Sequence, residues 1–239
     1  MEPSKQIAEW MRAQVKNANK KGVVFGLSGG VDSAVLAALS KMALGEDVLG
    51  LILPCKNEPQ DVKLAAKVAK KLALKTKLID LDNIFDNLLK VCSKGSKMAK
   101  ANLKPRLRMT ILYYFANSLD YLVAGAGNKT ELTIGYFTKY GDGGVDILPL
   151  GGLPKSEVRR LAKGLGVPDE IIKRVPSAGL WHGQTDEGEI GIAYEELDKI
   201  IAAIEKNETK GIDQKNLAKV KKMIKDSEHK RCEIPTMLL

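Results

Sequence analysis

The chain has 239 residues, of which 44% are hydrophobic and 28% are charged, and its formal net charge at pH 7 is +9. These values are ordinary for a globular protein and predict one domain over residues 1–239. No apolar run approaches the roughly 18–20 residues that span a bilayer, and the N-terminus lacks the apolar region of a signal peptide, so we expect a cytoplasmic protein without a membrane partner.

Cysteine usage and charge restrict the chemistry further. Cys55, Cys92 and Cys232 lie far apart and are odd in number, which argues against disulfides and against a cysteine-based zinc site. The positive charge favours a polyanionic partner, but a phosphate-rich small substrate explains its sign as well as nucleic acid does. Because only 5% of the residues are aromatic and no basic helix stands out, we expect no nucleic-acid partner.

Predicted strands and helices alternate along most of the chain. In chain order they are an amphipathic N-terminal helix, strand 22–28, helix 31–43, strand 47–54, helix 59–74, strand 76–81, helices 82–92 and 102–118, strand 120–126, and helices 154–165, 189–205 and 212–226. This alternation indicates crossover connections. We therefore predict the α/β class, with a Rossmann-like parallel sheet flanked by helices and a helical C-terminal part.

Two polar, glycine-rich loops, 125–144 and 175–191, interrupt this pattern. The first directly follows a predicted strand, and so does the motif Ser28-Gly29-Gly30-Val31-Asp32-Ser33. Ligands of open parallel sheets bind outside the carboxyl ends of the strands, so both segments are expected at the binding edge.

The motif at 28–33 joins a strand to a helix and predicts an anion site. Main-chain N–H groups at a helix N-terminus point towards an anion, and glycines let the chain approach phosphate oxygens closely. The segment lacks the lysine of a Walker A loop, and it does not match the GxGxxG dinucleotide fingerprint. A serine- and glycine-rich turn that merely caps the helix is the alternative reading.

The motif resembles the SGGxDS pyrophosphate-binding loop of the ATP pyrophosphatase (N-type) superfamily. The resemblance implies an adenine nucleotide alpha hydrolase-like fold and cleavage of ATP between its α- and β-phosphates. A substrate oxygen is adenylated, and a nucleophile then displaces AMP. The resemblance also implies that Asp32 holds Mg²⁺, a role that suits a carboxylate beside phosphate groups.

Longer segments are similar to ammonia-dependent NAD synthetases. They include GNKTELTIGYFTKYGDGGVDILPL (127–150), PSAGLWHGQTDEGEIGIAYEELD (176–198) and HKR (229–231). This resemblance implies that deamido-NAD (nicotinic acid adenine dinucleotide), ATP and ammonia are converted to NAD, AMP and pyrophosphate, the last step of NAD biosynthesis. It also implies a homodimer with the dinucleotide near the subunit interface.

The resemblance assigns roles residue by residue. For ATP it implies contacts from Gly26, Leu27, Ser28, Gly29, Gly30, Val31, Asp32, Ser33, Ala126, Lys155 and Ser177. For deamido-NAD it implies contacts from Arg106, Lys139, Asp146, His229 and Lys230. For Mg²⁺ it implies Asp32 and Glu131. At Ala126 the family often has threonine, so a side-chain hydroxyl contact to ATP is lost here.

Two residues are candidates for catalysis. The resemblance places Lys155 beside ATP, where it would stabilise charge at the α-phosphorus. It places Asp142 near the ammonia site, where it would hold ammonium and accept its proton before attack on the acyl-adenylate. Both have a plain structural alternative: Lys155 could start a solvated helix, and Asp142 could belong to an Asp-Gly turn. The metal-ligand candidate Glu131 could likewise simply lie in the first turn of a helix. The loop 175–191 is expected to act as a lid that excludes water.

Two other functions share the ATP motif. One is a tRNA-modifying sulfurtransferase or lysidine-type synthetase, which the positive charge suits but the absence of paired cysteines disfavours. The other is a non-catalytic nucleotide sensor, which retention of Asp32, Glu131, Lys155 and Ser177 disfavours. Because the motif begins at residue 28, we expect no amidase domain before it. Free ammonia is then the expected nitrogen donor, with ammonia from a separate glutaminase subunit as the alternative.

Overall fold

The computed structural model describes residues 2–92 and 94–237 and contains a four-stranded sheet. The strands are β1 Gly22–Gly26, β2 Val48–Ile52, β3 Thr76–Leu78 and β4 Tyr121–Val123, in the spatial order β3-β2-β1-β4. Every pairing is parallel. In the register, Val24 of β1 pairs with Leu49 on one side and with Val123 on the other. The predicted α/β class with a parallel sheet is confirmed.

Helices connect and cover these strands. In the described part of the chain they are α1 Pro3–Asn17, α2 Val31–Leu44, α3 Pro59–Lys71, α4 Asp82–Cys92, α5 Lys97–Ala101, α6 Leu103–Leu119, α7 Lys129–Ile134, α8 Lys155–Gly164, α9 Asp169–Ile172, α10 Asp186–Ile190, α11 Tyr194–Lys206, α12 Gln214–Asp226 and α13 Glu228–Arg231. None of the helices of the described residues is both long and apolar enough to cross a membrane.

Strands β1, β2 and β4 are largely buried on both faces, as is usual in parallel sheets, whereas the edge strand β3 is exposed. Successive residues of β1 point to opposite sides. Phe25 packs into the cluster that contains α1, α2, α3 and α8, whereas Val24 packs into the cluster that contains Phe85 of α4 and Ala116 of α6. A third cluster joins α11 and α12 to the end of α7, and it forms the predicted helical C-terminal part.

The chain direction creates a crevice at the carboxyl edge of the sheet. From β1 the connection runs through α2 to β2 on one side, whereas β4 pairs with β1 on the other side. The loops after β1 and β4 therefore diverge at a topological switch point, where open α/β sheets bind their ligands. The motif at 28–33 and the loop at 124–128 lie there.

Predicted and observed elements differ mainly in short segments. Strand 22–28 ends at Gly26, and both expected loops contain a short helix, α7 and α10. The sequence analysis also missed α5, α9 and α13. Helices of four to six residues are too short for hydrophobic periodicity to show. Side-chain caps start three of them. Ser96 accepts from the N–H of Ala99, Asn128 from that of Glu131, and Thr185 from that of Gly188.

Candidate active site

Serine side chains close the turn between β1 and α2. Ser33 Oγ donates to the Gly30 carbonyl at 3.0 Å and accepts the Ser28 N–H at 3.2 Å. The Gly30 N–H in turn donates to Ser28 Oγ at 3.2 Å. Gly29 has φ +81°, and a Cβ there would lie 2.5 Å from the Asp61 carbonyl oxygen of α3. The glycine is therefore required both by the left-handed backbone and by the close approach of α3.

The residues around this turn divide into core and open positions. The side chains of Leu27 and Val31 are buried in the main core, so only their backbone atoms can contact a ligand. A Cβ at Gly26 would meet no atom of the described residues within 4 Å. Open space therefore lies in front of the end of β1, next to the turn at 28–33.

Lys155 lies between two carboxylates just behind the turn. Its Nζ donates to Asp32 Oδ2 at 2.5 Å and to Glu131 Oε1 at 2.9 Å. The lysine side chain is 2% exposed, whereas those of Asp32 and Glu131 are 19% and 16% exposed. The alternative of a solvated lysine at a helix start is therefore wrong. Three side chains from the first turns of α2, α7 and α8 meet at one point.

The electrostatics of this group favour an added cation. Burial raises the pKa of Glu131 to about 7 against the opposing effect of Lys155, and the charge of Asp32 raises it further. Burial would lower the pKa of Lys155, but Asp32 and Glu131 outweigh it and raise that pKa, so the amine stays charged. One ammonium thus faces two carboxylates at close range.

The pair Asp32 and Glu131 offers two hard oxygen ligands of the kind that divalent cations prefer. Within residues 2–92 and 94–237, no three histidine, cysteine or acidic side chains are grouped closely enough to hold a metal ion by themselves. A cation held by these two carboxylates would therefore complete its shell with oxygens of a bound phosphate or of water, as Mg²⁺ usually does.

Asn128 fixes both carboxylates, and the sequence analysis did not select it. As the N-cap of α7 it accepts the Glu131 N–H at 3.0 Å, and its own N–H faces Glu131 Oε2 at 3.4 Å. Its Nδ2 donates to Asp32 Oδ1 at 2.9 Å. The pattern Asn-x-x-Glu is a capping-box signature that the sequence does contain.

A second layer of hydrogen bonds surrounds Glu131, and the sequence analysis missed it too. The Tyr194 hydroxyl contacts Glu131 Oε1 at 3.2 Å and Asp186 Oδ2 at 2.9 Å. Tyr136 donates towards Asp186 Oδ1 at 3.2 Å and Glu189 Oε2 at 2.9 Å. Burial and these carboxylates raise the pKa of both tyrosines, which keeps them neutral.

The residues predicted to contact deamido-NAD form a separate group. The Lys139 carbonyl accepts from Arg106 at 3.3 Å, and Lys139 Nζ donates to the His229 carbonyl at 2.5 Å. Lys230 Nζ donates to the carbonyls of Gly135 and Phe137, at 2.8 and 2.9 Å. The structure thus brings α6, the segment 135–140 and α13 together.

Asp142 and Asp146 lie in the same neighbourhood as this second group. Asp142 is exposed, and its Oδ1 accepts the Thr138 N–H at 2.9 Å. This bond is what the alternative reading, an Asp-Gly turn, would give. Asp146 accepts from the Tyr113 hydroxyl at 2.9 Å and from the Val123 N–H at 2.7 Å. Asp146 therefore also ties its loop to the end of β4.

The segment 175–185, here called the covering segment, packs against α5, α6 and the start of α3, the helix that approaches Gly29 of the turn. Lys104 Nζ donates to the Leu180 carbonyl at 2.7 Å, and Lys97 Nζ lies 4.1 Å from the centre of the Trp181 ring. Arg174 pairs with Asp61 of α3, and His182 contacts Glu58. Ser177 is exposed and accepts the Gly179 N–H. Ala126 is half-buried and packs against the core.

Known proteins match this chain over nearly its full length. A family model described as NAD synthase matches residues 4–234.

The chain belongs to the NAD synthase family.

An NH₃-dependent NAD⁺ synthetase of Archaeoglobus fulgidus is 52% identical over 233 residues, which cover 96% of this chain and 93% of the relative. Two solved structures are also similar. The NMN synthetase from Francisella tularensis has a TM-score of 0.93 and 38% identity over 100% of this chain and 98% of that chain. The NH₃-dependent NAD synthetase from Campylobacter jejuni, in complex with nitrate, has a TM-score of 0.86 and 31% identity over 99% of this chain and 97% of that chain.

Proposed function

We propose that the protein is an ammonia-dependent NAD⁺ synthetase, which converts deamido-NAD, ATP and ammonia into NAD, AMP and pyrophosphate. The observation that carries this conclusion is the convergence of Asp32, Glu131 and Lys155 behind the turn at 28–33. The relatives named for this activity support it. Because the family model spans almost the whole chain, we also propose that residues 1–239 act as one domain.

ATP would lie across the end of β1 with its outer phosphates at the turn. The open space at Gly26 and the main-chain amides at the start of α2 suit a triphosphate. Mg²⁺ held by Asp32 and Glu131 would neutralise phosphate charge when bound. Lys155 would stay charged beside the reacting phosphate and stabilise the negative charge that develops there. Leu27, Val31 and Ala126 would contribute backbone or van der Waals contacts, and Ser177 would approach from the covering segment.

Deamido-NAD would bind along the second group of residues. Arg106 is exposed and holds one long hydrogen bond to a carbonyl, so its guanidinium can turn to a phosphate or carboxylate of the substrate. Lys139, His229 and Lys230 lie beside it. The carbonyls that now accept from Lys139 and Lys230 keep these cations in place without neutralising their charge.

The reaction proceeds in two steps, adenylation of the nicotinate carboxylate and then displacement of AMP by ammonia. The nicotinate carboxylate oxygen attacks the α-phosphorus, the bond to the bridging oxygen of the β-phosphate breaks, and pyrophosphate leaves. Ammonia then attacks the acyl carbon, the carbon–oxygen bond to AMP breaks, and Asp142 accepts the proton that nitrogen loses. The segment 175–185 limits access of water, which would otherwise hydrolyse the acyl-adenylate.

A homodimer is supported by apolar side chains on α4 and α6. Only Lys104, Pro105 and Ala116 are buried among the 17 residues of α6. Tyr114 is 65% exposed, and Val91 of α4 is 82% exposed. Exposed apolar surface of this kind is typical of an interface. Since Arg106 lies on α6, the interface would adjoin the dinucleotide site.

A second candidate substrate is nicotinic acid mononucleotide. The Francisella tularensis structure, which matches this chain with a TM-score of 0.93, is described as an NMN synthetase. Amidation of nicotinic acid mononucleotide would give NMN. Because relatives that are 43–52% identical are named NAD⁺ synthetases, the dinucleotide is the favoured acceptor.

One assay separates these candidates. The purified protein is incubated with Mg-ATP, ammonium and either deamido-NAD or nicotinic acid mononucleotide, and products are separated by chromatography. We expect NAD, AMP and pyrophosphate from the dinucleotide, with a lower kcat/KM for the mononucleotide. Formation of ADP and orthophosphate would contradict the proposed cleavage, and a preference for the mononucleotide would establish the second candidate. Glutamine in place of ammonium tests the nitrogen donor.

A further inference from the structure

Helix α11 presents two polar side chains to the site from one face. Tyr194 and Asp198 are four residues apart and therefore lie one above the other on the helix. Tyr194 is 1% exposed, so its hydroxyl has no bulk water as a partner. The two side chains point to the N-terminal turns of α7 and α8, which carry Glu131 and Lys155.

Asp198 ties these two helix starts together. The Thr130 hydroxyl donates to Asp198 Oδ1, and the Ser156 N–H donates to Asp198 Oδ2 at 2.9 Å. The Lys155 N–H donates to the Thr130 hydroxyl oxygen at 3.0 Å. One carboxylate of α11 therefore holds the Thr130 side chain, next to Glu131, and the Ser156 backbone, next to Lys155.

Tyr194 acts on the side chains rather than on the backbone. Its hydroxyl contacts Glu131 and Asp186, and its ring centre lies 4.9 Å from Lys155 Nζ. A phenol has a single proton to donate. Since both neighbours are carboxyl groups, a stronger bond to Asp186 means a weaker hold on Glu131, and the reverse.

Asp186 connects this hydroxyl to the covering segment. It is the first residue of α10, and its N–H donates to the Pro176 carbonyl at 3.0 Å. Tyr136 bonds Asp186 and Glu189, and Gln184 bonds both Glu189 and the Leu180 N–H. A continuous series of contacts at hydrogen-bonding distance thus runs from Glu131 to Leu180.

We propose that Tyr194 is a positioning residue that links the seating of segment 175–185, through Asp186, to the orientation of Glu131. The inference rests on the proposed function, since it assigns Glu131 to Mg-ATP. Seating the segment over ATP sets the position of Asp186, and Tyr194 transmits that position to the carboxylate. Glu131 is thereby aligned when the site is covered and water is excluded.

Tyr194→Phe removes the hydroxyl and retains the ring beside Lys155. We expect the Mg²⁺ concentration for half-maximal activity to rise about tenfold and kcat to fall by 10-fold or more, as is usual for partners of metal ligands. Asp186→Asn, which alters the same hydrogen bond from the other end, should give the same direction of change. The double variant should be no worse than the more impaired single variant.

The second readout does not depend on turnover. In a Trp10→Phe background, Trp181 is the remaining one of the two tryptophans, so its fluorescence reports the covering segment. We expect Mg-ATP to change Trp181 emission in the otherwise unmodified protein and to change it by less than half as much after Tyr194→Phe. Tyr121→Phe serves as the matched control, because Tyr121 of β4 is also a phenol that interacts with a carboxylate, that of Asp47, which precedes β2.

The outcomes are separable. An unchanged Mg²⁺ dependence together with an unchanged Trp181 response in Tyr194→Phe would overturn the link, and so would an equal effect of Tyr121→Phe. If the unmodified protein formed no NAD, the proposed function would fail, but the Trp181 titration with Mg-ATP would still decide the link. Should Tyr194→Phe not fold, the Asp186→Asn titration decides it in the same way.

Discussion

At the scale of single residues, two positions near the end of β1 favour glycine for different physical reasons. Gly29 adopts a left-handed backbone and touches α3, so a side chain there conflicts with the fold. Gly26 has neither constraint, and a Cβ would extend into open space. The first glycine serves the structure of the turn, whereas the second keeps room for a ligand.

Gly26→Ala should therefore separate stability from ATP binding. We expect the free energy of unfolding to stay the same or rise by about 0.4–1 kcal/mol, because alanine restricts the unfolded chain. The KM for ATP should rise about tenfold, equivalent to roughly 1.4 kcal/mol of binding. Urea denaturation and initial rates measure the two effects. Gly164→Ala, also in open space but on α8, should leave the KM unchanged, and a normal ATP KM in Gly26→Ala would contradict the proposed ATP position.

Arg106→Ala tests the second group of residues. Because Arg106 is exposed and has one weak internal contact, stability should change by no more than about 0.5 kcal/mol. The KM for deamido-NAD should rise about tenfold or more, since a charge-assisted bond contributes roughly 1.5–3 kcal/mol. Steady-state kinetics with each substrate varied in turn check this, with Arg160→Ala on the surface of α8 as control. A selective rise in the KM for ATP would refute the assignment.

At the scale of elements, the short helix α7 shows how local structure prepares chemistry. A capping box fixes its first turn, and the capping residue Asn128 also reaches Asp32 on α2. One side chain thus starts the helix that carries Glu131 and orients the carboxylate opposite it. Helix propensity alone would not sustain six residues, since isolated helices of this length are unstable in water.

Substitutions of Asn128 distinguish the two roles. Asn128→Ala should lower the free energy of unfolding by about 1–2 kcal/mol through loss of the cap and should reduce activity. Asn128→Ser keeps an acceptor for the cap but is too short to replace the amide donor. We expect the serine variant to recover most of the stability while the Mg²⁺ concentration for half-maximal activity stays raised. Recovery of both properties together would show that the cap is the whole contribution of Asn128.

At the scale of the whole molecule, the apolar side chains on α4 and α6 predict self-association. Tyr114→Glu places a charge in the proposed interface and should weaken the dimer about 30-fold, because a central interface residue contributes about 2 kcal/mol or more. Light scattering after size-exclusion chromatography measures the mass against concentration. Trp10→Glu, on α1 and 42% exposed, is the control and should leave the measured mass unchanged. A fully active monomer at micromolar concentration would contradict the dimer.

The sequence by itself determined the parts that depend on local order. Alternating strands and helices predicted the parallel sheet, and the family was identified from the segments at 28–33, 127–150 and 176–198, which retain their pattern along the chain. Asp32, Glu131 and Lys155 were selected in the same way. Periodicity and motif spacing are short-range properties, so they can be read without coordinates.

Only the tertiary structure decided how these residues work together. Lys155 and Asp32 are 123 positions apart, yet they are in direct contact. Tyr194 and Asp198 look like ordinary helix residues in the sequence, but folding places them against two other helix starts. Burial and hydrogen-bond partners depend on packing between distant segments, and those quantities set the pKa of Glu131 and the charge of the site.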